Sequence, residues 1–220
     1  MSGPLPERLP DDPLPLAKAW IDDAQRTIRN ASSPTVDGHG PSSAMTLATV
    51  DPSGRPTARM VICRGVDLAA GWLVFYTDRE SAKGAALAAH PWAACVFHWA
   101  ELERQIRVEG PVTLAPDADS DAYWRTRPAE ARIAAAASLQ SRPLASRADL
   151  LARIVAVTKD SGGEIARPPR WGGYRVWAER VELWAGQPAR AHDRACWTRT
   201  LTAMDGGFKG GAWSGVRLMP

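Results

Sequence analysis

The chain has 220 residues, enough for one large domain with a sizeable core or for two small ones. Hydrophobic residues at 45% and charged residues at 23% exclude a wholly disordered or fibrous chain, and no run approaches the roughly 20 apolar residues of a membrane span. A formal charge of +3 without a basic stripe leaves no footprint for nucleic acid.

The opening residues, from Met1 to Arg8, lack the basic region and apolar run of a secretory signal, so a cytoplasmic protein is expected. Cys63, Cys95 and Cys196 lie far apart, without the spacing of a zinc site or a disulfide framework. Two oddities remain. There are 10 Trp against 3 Phe, and of 27 basic residues only Lys18, Lys83, Lys159 and Lys209 are lysine. Arginine's planar fork suits phosphate and carboxylate, although base bias in the genome would also enrich it.

In chain order, residues 1–43 read as an N-terminal arm and 44–220 as the body. An amphipathic helix is predicted from about Asp12 to Arg29, with Leu16, Trp20 and Ala24 on one face, and Asn30 to Ser43 reads as a mobile loop. Met45–Val50 and Pro56–Arg64 form a predicted hairpin about the Asp51-Pro52-Ser53-Gly54 turn, and Trp72–Thr77 is a third strand. Ser81–His90 is a short helix stopped by Pro91. Ala93–Trp99 and Gln105–Leu114 follow as strands. In the second, Ile106 and Val108 alternate with Gln105, Arg107 and Glu109, so one face meets the core and the other solvent or ligand.

Three helices come next: Asp117–Thr126 capped by Asp117, Pro128–Leu139, and Ser146–Lys159 with Ser146 and Asp149 as a capping pair, ended by Ser161-Gly162-Gly163. Tyr174–Trp177, Val181–Trp184 and His192–Arg199 are the last strands before a closing segment, Trp213–Pro220. Strands dominate without βαβ alternation, which argues an α+β domain on an antiparallel sheet or barrel.

Dinucleotide, P-loop, nucleophile-elbow and zinc-protease motifs are all absent. His39 and His90 read as exposed, and His98 as a hydrogen-bonded core histidine. In Arg190-Ala191-His192-Asp193-Arg194, strand alternation places Arg190, His192 and Arg194 on one face. Such a row of potential cations is either an anion site or a solvated edge strand.

The chain resembles the pyridoxamine 5'-phosphate oxidase family, flavin-dependent enzymes of vitamin B6 metabolism. The likeness runs from about Leu9 to Pro220. It rests on Leu9-Pro10-Asp11-Asp12-Pro13, Arg59-Met60-Val61-Ile62, Val74-Phe75-Tyr76-Thr77, Leu102-Glu103-Arg104-Gln105 and Tyr123 to Pro128. Ser138-Leu139-Gln140-Ser141, Trp171-Gly172-Gly173-Tyr174, Glu182-Leu183-Trp184, Arg190 to Arg194 and Arg217-Leu218-Met219-Pro220 complete it, in order.

The resemblance implies an FMN-binding split β-barrel, antiparallel and Greek-key-like with inserted helices, in a homodimer with FMN at each subunit interface. It implies oxidation of pyridoxamine or pyridoxine 5'-phosphate to pyridoxal 5'-phosphate, with dioxygen as acceptor and hydrogen peroxide as product. Arg59 and Lys83 are carried over as FMN phosphate ligands, Met60, Val61 and Ile62 as cofactor-binding neighbours of Arg59, and Gln140 and Ser141 reach the same cofactor. Tyr76, Thr77, Gln105, Trp184 and Arg194 are the other flavin contacts. Arg64, Tyr123 and Arg127 hold the phosphate of the pyridine substrate, while Arg190 and His192 lie over its ring as the catalytic pair.

Each position has a plainer alternative: an edge-strand charge for Arg59, a buried strand tryptophan for Trp184, a structural contact for Tyr123 and Arg127, which are four apart and hence on one helical face. Simple alternation also sets Arg59 and Arg64 on opposite faces. Arg64 stands where the family usually has lysine, Ala82 where it has arginine, and Ala131 where a serine is common. The arm is shortened, and Asn30–Ser43 and Thr200–Gly210 look like insertions. A phenazine-biosynthesis flavin oxidase acting on a tricyclic carboxylate, or a barrel that binds flavin or pyridoxal phosphate without turnover, are the competing readings.

Overall fold

A computed structural model describes residues 3–28, 43–160, 162 and 164–220. The predicted mobile loop Asn30–Ser43 therefore lies outside the described residues except at Ser43, as do Arg29, His39 and parts of the Ser161–Gly163 stop. Five helices and twelve strands are present among those described. None of these helices is long and apolar enough to cross a membrane.

Helix α1 (Leu14–Ile28) buries Leu14, Ala17, Trp20, Ile21 and Ala24. That spacing is the signature of one apolar helical stripe, and it joins the main core. The predicted face was shifted: Leu16 sits at its half-buried margin. The helix starts two residues later than expected, because the Asp12 carboxylate accepts the Leu14 backbone N–H at 2.9 Å and so caps it.

Strands β1 (Ala44–Val50) and β2 (Pro56–Ile62) form the predicted antiparallel hairpin. Next come a short β3 (Gly65–Asp67), β4 (Trp72–Asp78), helix α2 (Ala82–Ala89), β5 (Trp92–Trp99) and the long β6 (Arg104–Leu114). Helices α3 (Asp117–Thr126), α4 (Ala129–Ala137) and α5 (Arg147–Asp160) precede β7 (Trp171–Trp177), β8 (Arg180–Ala185) and β9 (Asp193–Thr198). The closing elements are β10 (Leu201–Met204), β11 (Gly207–Gly210) and β12 (Ser214–Leu218). Within Thr200–Gly210, β10 and β11 pair as a small hairpin that sets Phe208 edge-on against Trp177 at 5.9 Å.

The principal sheet runs β12-β9-β8-β6-β5-β1-β2, and a second arm, β3-β4-β7, joins it through β6. Strand β6 makes this curl: residues 104–109 pair with β8, and Val112–Leu114 pair with β7. Gly110 sits at the switch, where a Cβ would fall 1.9 Å from the Trp177 carbonyl oxygen. Gly110→Ala must push two strands apart, so we expect a loss of about 2–4 kcal/mol in a urea unfolding titration. The enclosed core contains Phe75, Phe97, Leu183, Val176 and Trp197, all essentially solvent-free, each adding about 1.5–3 kcal/mol on burial. The result is the expected α+β antiparallel split barrel.

Of two local expectations, one changes and one holds. Pro116, not Asp117, is the residue before α3, and Asp117 lies in its first turn, where its charge meets the helix dipole. Ser146 does accept the Asp149 N–H at 3.1 Å, as its capping role requires.

Candidate active site

The residues singled out in the sequence form two groups. The first lines a cleft of about 470 Å³. Edge strand β2 supplies Arg59, Met60, Val61 and Ile62, and β4 supplies Tyr76 and Thr77. Lys83 comes from the first turn of α2, and Gln140 and Ser141 from the segment after α4. Ser141 holds a φ of 71°, a left-handed conformation uncommon for a residue with a side chain.

Arg64 lines this cleft too, against the simple alternation that set it opposite Arg59. The cause is a change of sheet. Cys63 N–H still bonds Ser43 beside β1, whereas Arg64 N–H bonds the Val74 carbonyl of β4. The pleat is broken between the two arginines, so both reach one opening.

Electrostatics show what the cleft is suited to hold. Lys83 is 8% exposed, and its Nζ donates to Gln140 Oε1 at 2.8 Å and to the hydroxyls of Thr77 and Ser81 at 3.2 Å. Arg59 donates to the Leu47 carbonyl and to the hydroxyls of Thr49 and Thr57. All of these acceptors are neutral. Burial lowers the pKa of both groups, and for Lys83 the nearby Arg59 lowers it further, against a smaller pull from Asp78. Asp78 itself is spent on Arg170, whose Nε donates to it at 2.9 Å. Two partly desolvated cations among neutral oxygens fit a phosphate dianion.

A recess of about 300 Å³ adjoins this cleft, lined by Tyr76, Arg127, Ala131 and Trp171 among others. Tyr123 stacks on Tyr76 at 4.2 Å, and the Arg64 guanidinium lies 5.5 Å from the Tyr123 ring centre. Arg127 lies over Trp171 at 4.9 Å and Trp124 at 5.4 Å. Tyr123 and Arg127 do not share a helical face as their spacing implied. The chain after Thr126 turns extended, with Arg127 at φ −73° and ψ 142°. Gly173 pairs with Tyr76 across β4 and β7, and a Cβ there would stand 2.8 Å from the tyrosine ring. Its absence lets that ring lie flat against the strand.

The second group lies on the opposite part of the sheet. Register aligns Gln105, Trp184 and Arg194 in one row across β6, β8 and β9, with His98 of β5 facing Gln105. His98 is exposed, which corrects its reading as a core histidine. Trp184 is only half-buried, and its indole lies 4.8 Å from the His192 ring. Gln187 N–H donates to His192 Nδ1 at 3.2 Å, so the neutral ring carries its proton on Nε2.

Arg190, His192 and Arg194 do not form one strand face. Residues Pro188–Arg190 make a 3₁₀ turn, and β9 begins only at Asp193. Ala189 and Arg190 both adopt positive φ, 55° and 61°, and this successive strain lifts the exposed Arg190 off the sheet.

Neither cleft nor recess is lined by any residue of this second group. Strands β2 and β9 are separated along the sheet by β1, β5, β6 and β8. The sequence reading missed Trp171, whose place before Gly172-Gly173 was its only signal. It also missed Arg170, whose Nη2 donates to the carbonyls of Ala135, Ala136 and Ser138 while Nε holds Asp78. That clamp steadies the segment carrying Gln140, and a separation of 92 residues left no local trace of it.

A split barrel with a cation-lined edge cleft, and a separate row of Gln105, Trp184 and Arg194 across the sheet, is the class of protein suited to a phosphorylated ligand. Residues 40–159 match the pyridoxamine 5'-phosphate oxidase family, and residues 171–220 match the pyridoxine 5'-phosphate oxidase C-terminal dimerisation region. The chain belongs to the pyridoxamine 5'-phosphate oxidase family.

Among its relatives, the pyridoxine/pyridoxamine 5'-phosphate oxidase of Azorhizobium caulinodans is 44% identical over 211 residues, covering 96% of this chain and 91% of that protein. The protein of the same name from Thermosynechococcus vestitus is 45% identical, covering 96% and 90%. PhzG from Burkholderia lata, solved with tetrahydrophenazine-1-carboxylic acid, superposes with a TM-score of 0.81 at 26% identity, covering 99% of this chain and 100% of that one.

Proposed function

We propose that the chain is an FMN-dependent oxidase that converts pyridoxamine or pyridoxine 5'-phosphate to pyridoxal 5'-phosphate, using dioxygen and releasing hydrogen peroxide. The observation that carries this reading is the Arg59–Lys83 pair, two cations in one cleft with only neutral hydrogen-bond acceptors among the described residues. They hold the FMN phosphate, with Thr77, Gln140 and Ser141 completing the cradle. FMN supplies the redox chemistry, taking two electrons from the substrate's amine- or alcohol-bearing carbon and passing them to dioxygen.

The remaining roles belong to side chains. Arg64, Tyr123 and Arg127 hold the substrate's phosphate beside the cleft. Gln105, Trp184 and Arg194 come from a partner subunit and close over the flavin, which accounts for their distance from the cleft within one chain. Arg190 and His192 of that partner orient the substrate, the Arg190 guanidinium supporting loss of the substrate's proton to solvent and His192 presenting Nε2–H. The enzyme acts in the cytoplasm, in keeping with three free, buried cysteines.

FMN-loaded protein given pyridoxine or pyridoxamine 5'-phosphate should release one peroxide per pyridoxal phosphate formed. Protein that carries FMN and yields no peroxide with either would refute the activity, and turnover of a reduced phenazine carboxylate instead would assign it to the PhzG branch.

A further inference from the structure

The barrel face carrying Gln105, Trp184 and Arg194 also holds a glutamate that the proposed chemistry leaves unused. Glu182 is 3% exposed although it lies on the outer side of β8. Its Oε1 accepts from Arg194 Nη2 at 2.7 Å and Nε at 3.1 Å, and its Oε2 from Arg107 Nη1 at 3.2 Å. Arg180 stands 4.0 Å from the same carboxylate, and Arg107 also reaches Glu109.

Arg194 is thereby held from two sides, since its Nη1 donates to the Met219 carbonyl at 3.1 Å next to the end of β12. Three donor bonds fix the guanidinium plane and leave its outer N–H groups for another acceptor. Without Glu182, Arg107 of β6 and Arg194 of β9 would be left as like charges on either side of β8 with no carboxylate between them, and would separate. A buried ion pair contributes little net stability, because desolvation offsets the attraction, so what it chiefly confers here is orientation.

We propose that Glu182 is a positioning residue that aims Arg194 at the flavin bound by the partner subunit. The proposal rests on the flavin site assigned above. It acts through Arg194 alone, so the two residues must be energetically coupled in cofactor binding.

The test is FMN titration of the apoprotein by flavin fluorescence on the wild type, Glu182→Gln, Arg194→Met and the double variant. Glu182→Gln should weaken FMN about tenfold in the wild-type background and produce little further loss beside Arg194→Met. A dissociation constant within about twofold of wild type, or equal losses in both backgrounds, would overturn the positioning role. Should Glu182→Gln not fold, Glu182→Asp keeps the charge but withdraws it by one methylene, and the same coupling decides. Wild-type protein that binds no FMN would remove the flavin site itself, an outcome visible in the first titration.

Discussion

Lys83→Met should purify colourless, with FMN affinity reduced about a hundredfold, yet with the apoprotein no less stable than the wild type. The two results together separate a ligand-binding lysine from a structural one. Lys83 is buried beside Arg59 and donates only to neutral oxygens, so in the apoprotein its charge is a burden. Methionine removes that burden and fills similar space, while the phosphate loses a charged partner.

The same lysine sets a pH dependence whose sign follows from its environment. Burial first, and Arg59 second, hold its pKa below the ordinary 10.5. The unfolded chain therefore keeps this proton to higher pH than the folded apoprotein does, and apoprotein stability from this group rises as pH climbs through that window. FMN affinity moves the other way, since deprotonated Lys83 no longer faces the phosphate with a charge. Fluorescence titrations from neutral pH towards the lysine range should find affinity falling before ordinary lysines titrate, and Lys83→Met should flatten that profile.

Arg190→Ala should lower turnover by about a hundredfold or more while leaving FMN content and the unfolding midpoint unchanged. The side chain is exposed, with no hydrogen bond or ion pair among the described residues, so its removal leaves the barrel intact. Yet its backbone is held at φ 61° directly after Ala189 at 55°, a cost the fold carries at this turn. Steady-state kinetics with both B6 vitamer phosphates, alongside thermal unfolding, check this. Reduced stability with unchanged turnover would make Arg190 a structural residue.

Much of the barrel is written in local pattern. The alternation of Ile106 and Val108 with Gln105 and Arg107 gave β6 its inner and outer faces, and Ser146 with Asp149 marked the start of α5. What escaped was set by distant partners. The sheet change at Cys63 and Arg64 depends on Ser43 and Val74, so periodicity placed Arg64 on the wrong side. Arg127 leaves the helix because α3 stops at Thr126, and the 3₁₀ turn at Pro188–Arg190 breaks the strand alternation that would set Arg190, His192 and Arg194 on one face. The site residues were legible as types suited to phosphate and to a flat ring. Their division into two groups on one chain was not, because register and sheet order decide it.

That division is the central claim, and mixed dimers test it. Lys83→Met disables the cleft of its own chain, and Arg190→Ala disables what the chain lends its partner. When the two inactive proteins are unfolded together, refolded and supplied with FMN, half-sites from different chains should rebuild intact centres and restore about a quarter of wild-type activity. No recovery, with subunit exchange verified, would mean that each site is built within a single chain.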